Sequence, residues 1–189
     1  MYLLFLFIKA FDKMNHHGLF IKLMEKQIPV NLLKLLETWY RSGHTCVKWG
    51  SVFSKFFNLT CGVRQGGVLS PYLFAVYIDS VVNRIKQEQS FGCYINFVCV
   101  SILLYADDMI LLAPSVTALQ QLLYICETEL NWLDMAINAK KSACLRIGPQ
   151  HNAECACITT LDGRELQWVT SLRYLGIFLI SSNVFSCTF

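Results

Sequence analysis

The sequence predicts one α+β domain in which helices pack on one face of a mostly antiparallel sheet. Three observations lead to this fold class. The 189 residues suffice for a domain with its own core, and 54% of them are hydrophobic against 15% charged. Short apolar segments of strand length occur in mixed order with segments of helical periodicity. No repeat, linker or low-complexity run divides the chain, so residues 1–180 form the predicted domain and 181–189 a tail.

The elements of the first half follow from apolar runs and helix-start signals. Tyr2 to Ile8 is an unbroken apolar run, typical of a strand buried on both faces. Pro29 and the pair Ser70-Pro71 mark helix starts, because proline fits the first helical turn and serine caps it. The predicted elements are a strand over 2–8, helices over 18–27 and 29–42, strands over 44–49 and 52–59 joined at Gly50-Ser51, and a helix over 70–87.

The second half predicts strands that one long helix interrupts. Residues 115–132 have the apolar spacing of an amphipathic helix. Runs rich in aliphatic and aromatic residues surround it and are typical of strands. The predicted strands cover 94–100, 101–105, 109–113, 143–147, 164–168 and 173–179.

Composition excludes several classes of protein. The net charge of +3 and the pI near 8.4 are compatible with nucleic-acid binding without indicating it. Nine irregularly spaced cysteines, of which only Cys155 and Cys157 are close together, favour buried reduced thiols over disulfides or a zinc site. The apolar start lacks the features of a signal peptide and is too short to cross a bilayer. We therefore predict an intracellular protein, in the nucleus or cytoplasm, that is not secreted and contacts no membrane.

The pair Asp107 and Asp108 lies between two strongly apolar segments, 102–104 and 110–113. Two adjacent carboxylates at the tip of a buried hairpin are costly unless a positive charge meets them. A divalent metal is the usual remedy, and Mg²⁺ takes one or two protein carboxylates together with substrate phosphates. The alternative is an ordinary solvated turn, in which aspartate is common.

The segment Tyr105-Ala106-Asp107-Asp108 resembles the Y-x-D-D box of reverse transcriptases. Four further segments resemble other boxes of that family: Lys9-Ala10-Phe11-Asp12-Lys13-Met14-Asn15-His16, Gly62-Val63-Arg64-Gln65-Gly66-Gly67-Val68-Leu69-Ser70-Pro71, Asn138-Ala139-Lys140-Lys141-Ser142 and Leu172-Arg173-Tyr174-Leu175-Gly176. All five occur in the family's order across residues 3–180. Their residues are most similar to those of the non-LTR (LINE-like) retrotransposons.

The resemblance implies a polymerase palm that adds deoxynucleotide triphosphates to a DNA primer on an RNA template, using two Mg²⁺ ions. It gives Asp107 and Asp108 the role of catalytic metal ligands and Lys141 that of a proton donor to pyrophosphate. The residues implied to contact nucleotide and template are Phe11, Arg64, Gln65, Gly66, Gly67 and Tyr105, and those implied to grip the primer are Tyr174, Leu175 and Gly176. Taken singly, Phe11 also fits a core residue, the glycines a tight turn and Lys141 a solvated lysine.

The chain departs from the family's pattern in the first box. A metal-binding aspartate normally stands six residues before the aspartate that ends A-F-D. Here Asp12 ends that triplet and Leu6 occupies the required position. Asp12 is a poor substitute, because six extended residues span about 20 Å whereas the two metal ions lie about 4 Å apart. We therefore expect an incomplete two-metal site, severely impaired polymerase activity and a structural role for Asp12 near the nucleotide pocket.

The resemblance covers the palm alone. The family's fingers lie upstream of the first box and its thumb downstream of the last, so we expect both to be largely missing. Two other functions stay open. One is a non-catalytic nucleic-acid-binding or structural remnant of a retroelement. The other is an unrelated RNA-binding sheet domain, which would carry exposed aromatic side chains on the sheet, whereas the central strands here are aliphatic.

Overall fold

The computed structural model describes residues 1–7, 12–64 and 66–188. The chain divides into a larger compact unit, Met1–Lys9 with Asp79–Phe189, and a smaller one, Ala10–Ile78. The described elements, in chain order, are β1 (Tyr2–Phe7), α1 (His16–Glu25), α2 (Val30–Arg41), β2 (His44–Thr45), β3 (Lys48–Trp49), β4 (Val52–Phe53), β5 (Phe57–Asn58), α3 (Ser70–Gln87), β6 (Tyr94–Ile95), β7 (Val98–Cys99), β8 (Ile102–Tyr105), β9 (Asp108–Ala113), α4 (Val116–Trp132), β10 (Ala143–Arg146), β11 (Ile158–Thr159), β12 (Glu165–Val169), β13 (Ser171–Tyr174), β14 (Ile177–Ile180) and β15 (Ser186–Thr188).

A six-stranded sheet organises the larger unit, in the order β11-β12-β10-β1-β9-β8. β1 lies inside the sheet and is antiparallel to both β10 and β9. Leu3, Leu4, Phe5 and Leu6 are all buried, as their continuous apolar run predicts. Among the described neighbours in this sheet, β10 and β12 are the parallel pair, so the prediction of a mostly antiparallel sheet is confirmed.

One face of this sheet packs against α4. Cys126 of the helix lies 3.4 Å, sulfur to sulfur, from Met109 of β9. Because side chains alternate along a strand, Leu111 of β9 lies on the same face as Met109. Their register partners on β1, Leu4 and Leu6, lie there too, and we call this the helix face. These four sheet residues are at most 1% exposed. The predicted layer of helix on one side of the sheet is therefore confirmed.

The opposite face carries a second apolar layer, which we call the tyrosine face because Tyr174 packs against it. Leu3, Phe5 and Ile110 of the six-stranded sheet form a buried cluster with Leu179. Leu179 belongs to a separate three-stranded sheet in the order β13-β14-β15. The six-stranded sheet is thus covered by helix on one side and by a small sheet on the other.

Polar contacts fix α4 to its neighbours. Ser115 caps the first turn by accepting the N–H of Ala118 at 3.1 Å. The Gln120 amide satisfies both backbone groups of Thr159, donating from Nε2 at 2.7 Å and accepting at Oε1 at 2.9 Å. These bonds attach the helix to β11 at one edge of the sheet.

Two of the predicted strands are hairpins. The segment 94–100 turns at Asn96 and Phe97, whose φ angles are 47° and 65°, and forms β6 and β7. The segment 173–179 turns at Leu175-Gly176 and forms β13 and β14. Both predictions were wrong because each turn has two residues and carries a large apolar side chain, which is typical of a strand. In the predicted tail, residues 186–188 form β15 and pair with β14.

The smaller unit contains α1, α2 and four two-residue strands. α1 begins at His16, two residues before the predicted start, because the Asn15 side chain caps it. The β3–β4 hairpin turns at Gly50, where φ is 60°, as the sequence predicted. Among the described residues, none of the helices combines the length and the apolarity that crossing a membrane requires.

Candidate active site

The acidic pair lies at the tip of the β8–β9 hairpin. Tyr105 ends β8, Asp108 begins β9, and the two residues are paired in the ladder. Ala106 and Asp107 form the turn between them, and Ala106 has a left-handed φ of 51°. Such a φ is uncommon for alanine and persists only where the surrounding structure demands it. Asp107 is exposed to solvent in this turn.

Asp108 is partly buried, and it repels its neighbour. Burial raises the pKa of its carboxyl, and repulsion from Asp107 raises that pKa further. Tyr174 is close enough to respond: burial raises the pKa of its phenol, and Asp108 and then Tyr105 add to the shift. The hairpin tip therefore concentrates negative charge that a cation would neutralise.

The residues predicted to grip the primer form a second hairpin turn. Tyr174 ends β13, and Leu175 and Gly176 turn the chain with φ angles of 47° and 90°. Two successive positive φ angles are those of a type I′ hairpin turn. The ring of Tyr174 lies 5.6 Å from the ring of Phe5. The fold thus brings Tyr174 onto the face of the sheet that carries Asp108.

Lys141 lies in the turn that precedes β10. Its backbone N–H donates to the carbonyl of Asn138 at 3.0 Å, and its side chain is exposed. β10 runs antiparallel to β1, with Ala143 opposite Phe5. The turn therefore emerges at the same end of the sheet as Asp108, and Lys141 shares that end with the acidic pair.

Leu6 fills the position at which the family's pattern requires a third metal ligand. In the ladder it pairs with Met109, and its side chain is 1% exposed on the helix face. Within residues 1–7, 12–64 and 66–188, no group of three His, Cys, Asp or Glu side chains is arranged to hold a metal ion. Asp107 and Asp108 fit one hard cation that completes its shell with water and phosphate oxygens. They do not fit a two-ion centre, because no further described carboxylate stands beside them.

In the smaller unit, the glycine-rich turn before α3 is held by its own main chain. The Arg64 carbonyl accepts the N–H of Gly67 at 3.0 Å and the hydroxyl of Ser70 at 2.5 Å. A Cβ at Gly67 would lie 2.7 Å from the Ser70 hydroxyl oxygen and 3.0 Å from the Arg64 carbonyl oxygen, so the turn favours glycine there. Gly66 has a φ of 78° and open space around it. The Arg64 side chain is exposed.

A groove of about 800 Å³ opens beside this turn, within the smaller unit. Aromatic rings and one guanidinium are prominent in its lining, from His16, Trp39, Tyr40, His44 and Arg64. Nε2 of His16 lies 2.7 Å from the carbonyl oxygen of Gly62, and its ring packs edge-on at 4.6 Å against Tyr40. Sequence reasoning missed this contact. The available signal was the position of His16 directly after the helix-capping Asn15.

Three other residues singled out in the sequence are Phe11, Asp12 and Gln65. Phe11 and Gln65 lie outside the described residues. Asp12 is exposed, and its carbonyl accepts a weak hydrogen bond from the Cys61 thiol at 3.5 Å. The structural role expected for Asp12 stays a prediction.

Comparison with known proteins finds relatives over most of the chain. The profile of the family described as "Reverse transcriptase (RNA-dependent DNA polymerase)" matches residues 2–179. The Retrovirus-related Pol polyprotein from type-1 retrotransposable element R2 of Nasonia vitripennis is 28% identical over 141 residues, which cover 75% of this chain and 14% of that protein. The Pol polyprotein from type-2 retrotransposable element R2DM of Drosophila melanogaster is 27% identical over 189 residues, 95% of this chain and 17% of that protein. The RNA-directed DNA polymerase from mobile element jockey of the same fly is 26% identical over 189 residues, with coverages of 94% and 19%.

A solved structure has the same fold. It is the apo telomerase from Candida tropicalis, truncated from the C-terminal domain, and it superposes with a TM-score of 0.65 over 99% of this chain and 35% of its own. The sequence identity of 14% supports the fold alone. The predicted α+β polymerase fold is confirmed. The chain spans less than a fifth of the length of the curated relatives described above.

Proposed function

We propose a function from one premise, that the chain belongs to the reverse transcriptase (RNA-dependent DNA polymerase) family. It is a domain of the non-LTR retrotransposon type, similar to R2 and jockey proteins. The proposed reaction is addition of a deoxynucleotide to the 3′ end of a DNA primer on an RNA template, with release of pyrophosphate. The observation that carries the proposal is the hairpin tip of Asp107 and Asp108 at the end of a polymerase-type sheet.

In such a phosphoryl transfer, a protein mainly positions groups and neutralises charge. Tyr174 lies near Asp108 on the tyrosine face and is proposed to hold the primer end there. Tyr105, the ladder partner of Asp108, is proposed to contact nucleotide and template. The exposed turn of Leu175 and Gly176 is proposed to support the primer backbone. Lys141, exposed at the same end of the sheet, is proposed to donate a proton to the leaving pyrophosphate.

The smaller unit is proposed to contact nucleotide and template. The exposed Arg64 guanidinium suits a phosphate. Gly66 and Gly67 present bare main chain, which lets a base or a template strand approach the turn closely. Phe11 is proposed to lie under the sugar and exclude a 2′-hydroxyl, and Gln65 to lie against the template, as the family resemblance implies.

Reverse transcriptases generally use Mg²⁺, which neutralises charge on the transferring phosphoryl group when bound. Asp107 and Asp108 are the residues proposed to hold it. Since Leu6 supplies no ligand, we propose that activity is severely impaired. The loss should exceed the roughly 10–100-fold that removal of an outer partner costs a metal site.

Primer extension tests this proposal directly. A DNA primer on an RNA template is incubated with the protein, deoxynucleotides and either Mg²⁺ or Mn²⁺. Asp107→Asn is the diagnostic variant, and Asp134→Asn is the matched control, because Asp134 is also exposed and its φ of 56° suits asparagine. Weak extension that disappears in Asp107→Asn and persists in Asp134→Asn supports the proposal. Robust extension by the unaltered protein would overturn the impairment, and extension unaffected by Asp107→Asn would overturn the role of the acidic pair.

The leucine at position 6 specifically favours a second candidate, a nucleic-acid-binding or structural remnant without catalysis. Such a protein would bind an RNA–DNA primer–template and never extend it. Asp107→Asn would then leave binding unchanged or tighten it, because a charge that repels phosphate is removed. Filter binding of a labelled primer–template at several salt concentrations, run beside the extension assay, distinguishes the two candidates.

The proposed partners are an RNA template, a DNA primer and deoxynucleotide triphosphates. The proposed location is inside the cell, in the nucleus or the cytoplasm. Copying into genomic DNA requires the nucleus, so a tagged full-length protein that never enters the nucleus would contradict that function.

A further inference from the structure

We propose that the hairpin over residues 43–59, here called the arm, binds unpaired RNA of the template strand. Bases stack on Trp49, and phosphates pair with Lys48 and Lys55. The choice of RNA as the ligand rests on the proposed function. The arm belongs to the smaller unit and contains no residue of the acidic centre.

The arm is one continuous two-stranded ribbon. β2 pairs with β5 and β3 with β4. Between these two ladders, Ser54 donates its N–H to the carbonyl of Val47, and its hydroxyl accepts the N–H of Val47, both at 2.9 Å. At the base, Leu59 donates its N–H to the carbonyl of Gly43 at 3.2 Å. Main-chain bonds therefore hold the arm together from its base to the turn at Gly50-Ser51.

The side chains of the arm face solvent. Every residue from Val47 to Thr60 is exposed. The large apolar side chains in this stretch are 44–86% exposed, and they are Val47, Trp49, Val52, Phe53, Phe56, Phe57 and Leu59. An isolated two-stranded ribbon is at best marginally stable in water, and a contiguous exposed apolar surface marks an interaction site. The arm therefore has the composition of a binding surface.

The charge around the arm is of one sign. Residues 38–78 contain no Asp or Glu, although the whole chain has 13 acidic residues against 16 basic ones. The same stretch carries Arg41, Lys48, Lys55 and Arg64. Lysine is depleted at the core of protein–protein interfaces. Lysines interspersed with aromatic rings, without carboxylates, suit the phosphates and bases of a single strand.

The β3–β4 ladder separates two faces of the arm. Lys48 is opposite Phe53, and its ammonium lies 5.4 Å from the centre of that ring, so the two side chains share one face. Trp49 and its partner Val52 then share the other face. Trp49 is 86% exposed, more than any other ring of the arm, which makes it the principal stacking platform. Because paired strands lie only about 4.8 Å apart, the long Lys48 side chain can reach a phosphate across the edge of the ribbon.

The base of the arm lines the groove of the smaller unit. Gly43, His44, Thr45 and Leu59 belong to that lining, and so does Arg64, which is proposed to contact a phosphate. A strand held at Arg64 therefore has a continuous path through the groove to the arm. This continuity favours a flexible single strand over a lipid bilayer, which cannot enter a groove.

RNA binding by the full-length protein tests the proposal. The probe is a fluorescein-labelled single strand of about 12 nucleotides, within the length that such surfaces cover, built from A and C so that it cannot pair. Affinity is measured by anisotropy in EDTA. Trp49→Ala and Trp49→Leu are each expected to weaken binding by about 5- to 150-fold, the effect of losing one stacked base. Trp49→Phe keeps a ring and should retain most of the affinity. Val52→Ala, the matched control on the same face, should bind like the unaltered protein.

The two lysines have a separate signature. Combining Lys48→Ala with Lys55→Ala should reduce the slope of log affinity against log salt concentration by about 0.7 for each lost phosphate contact. An unchanged slope contradicts the pairing of these lysines with phosphates.

Tryptophan fluorescence covers the case in which an alanine variant fails to fold. A base stacked on an indole quenches its emission, so RNA should quench the unaltered protein, and Trp49→Phe should bind RNA with most of that quenching lost. Quenching that persists in Trp49→Phe would assign the stacked base to another of the four tryptophans and overturn the proposal.

Other ligands of the arm are outcomes of the same experiment. RNA binding that is unaffected by Trp49→Ala overturns the proposal, and so does tighter binding of DNA of the same sequence. Loss of self-association in sedimentation, or of binding to anionic vesicles, in a Trp49→Ala protein that still binds RNA would assign the arm to a second copy or to lipid instead. EDTA removes any metal, so the assay is independent of nucleotide addition. A protein that binds RNA through Trp49 and never extends a primer contradicts the proposed reaction and supports this inference.

Discussion

The two faces of the central sheet are built from the same strands but end differently. On the helix face, Leu111 and Met109 follow one another down β9 and are at most 1% exposed to the end of the strand. On the tyrosine face, Ile110 is 3% exposed, yet the next residue on that face is the partly exposed Asp108, paired with a Tyr105 that is 62% exposed. The helix face is therefore buried, and stabilises the fold, along its whole length on β9. The tyrosine face is buried as far as Ile110, and its last pair, Asp108 and Tyr105, belongs to the candidate active site.

The largest expected effect concerns the closed face. Leu111→Ala removes a side chain that is 0% exposed and should destabilise the fold by about 2–5 kcal/mol. That loss corresponds to a fall in Tm of roughly 5–15 °C. Leu103→Ala on the edge strand β8 is the control, because Leu103 is 47% exposed and should cost less than about 1 kcal/mol. Both variants are compared by chemical denaturation. Equal losses of unfolding free energy would contradict the view that the buried layer stabilises the fold more than the exposed edge does.

Asp108, at the solvent-exposed end of the tyrosine face, should lower the stability of the folded protein at neutral pH. The pKa of Asp108 is raised above its ordinary value of 3.8 by burial and then by Asp107. The folded protein therefore holds this proton more tightly than the unfolded chain. The stability so contributed is fully present below pH 3.8 and is lost as pH rises through the raised pKa. At neutral pH, Asp108→Asn should accordingly raise Tm.

Thermal melts across the acid range check this sign. The gain from Asp108→Asn should shrink as pH falls and vanish below the ordinary pKa of a carboxyl. A lower Tm for Asp108→Asn at neutral pH would contradict this prediction. It would mean that a favourable interaction with the charged carboxylate outweighs its burial and its repulsion from Asp107.

The smallest effect is expected at Tyr174. Tyr174→Phe keeps the ring that packs 5.6 Å from Phe5, so the free energy of unfolding should change by less than about 1 kcal/mol. The hydroxyl matters for titration, because burial and then the charges of Asp108 and Tyr105 raise its pKa above the usual 10.0. In an ultraviolet titration, the variant should lose one tyrosine that ionises late. If Tyr174→Phe were as unstable as Tyr174→Ala, the phenol hydroxyl would be the group that stabilises the tyrosine face, and the ring would not.

Local signals in the sequence predict much of the fold. The helix from Ser70 to Gln87 has the predicted bounds, and the helix over 116–132 begins directly after its cap, Ser115. Caps and apolar periodicity act within a few residues, which is why they can be recognised without tertiary structure. The turn at Asn96-Phe97 was missed because a short turn between apolar arms leaves the strand pattern intact. Apolar patterning also gave no sign of the turn at Leu175-Gly176, where only the family resemblance implied a primer-gripping hairpin.

The sequence by itself determined the family, the acidic pair and the glycine-rich turn. Each can be recognised from short runs of consecutive residues, without knowing which distant segments meet. Tertiary structure alone decided that Tyr174 lies beside Asp108, that Leu6 is a core residue, and that Phe7 is the register partner of Asp108. These facts depend on which distant strands meet and in what register. A continuous apolar strand such as β1 offers no alternation that would fix its register, so the ladder with β9 and β10 had to supply it.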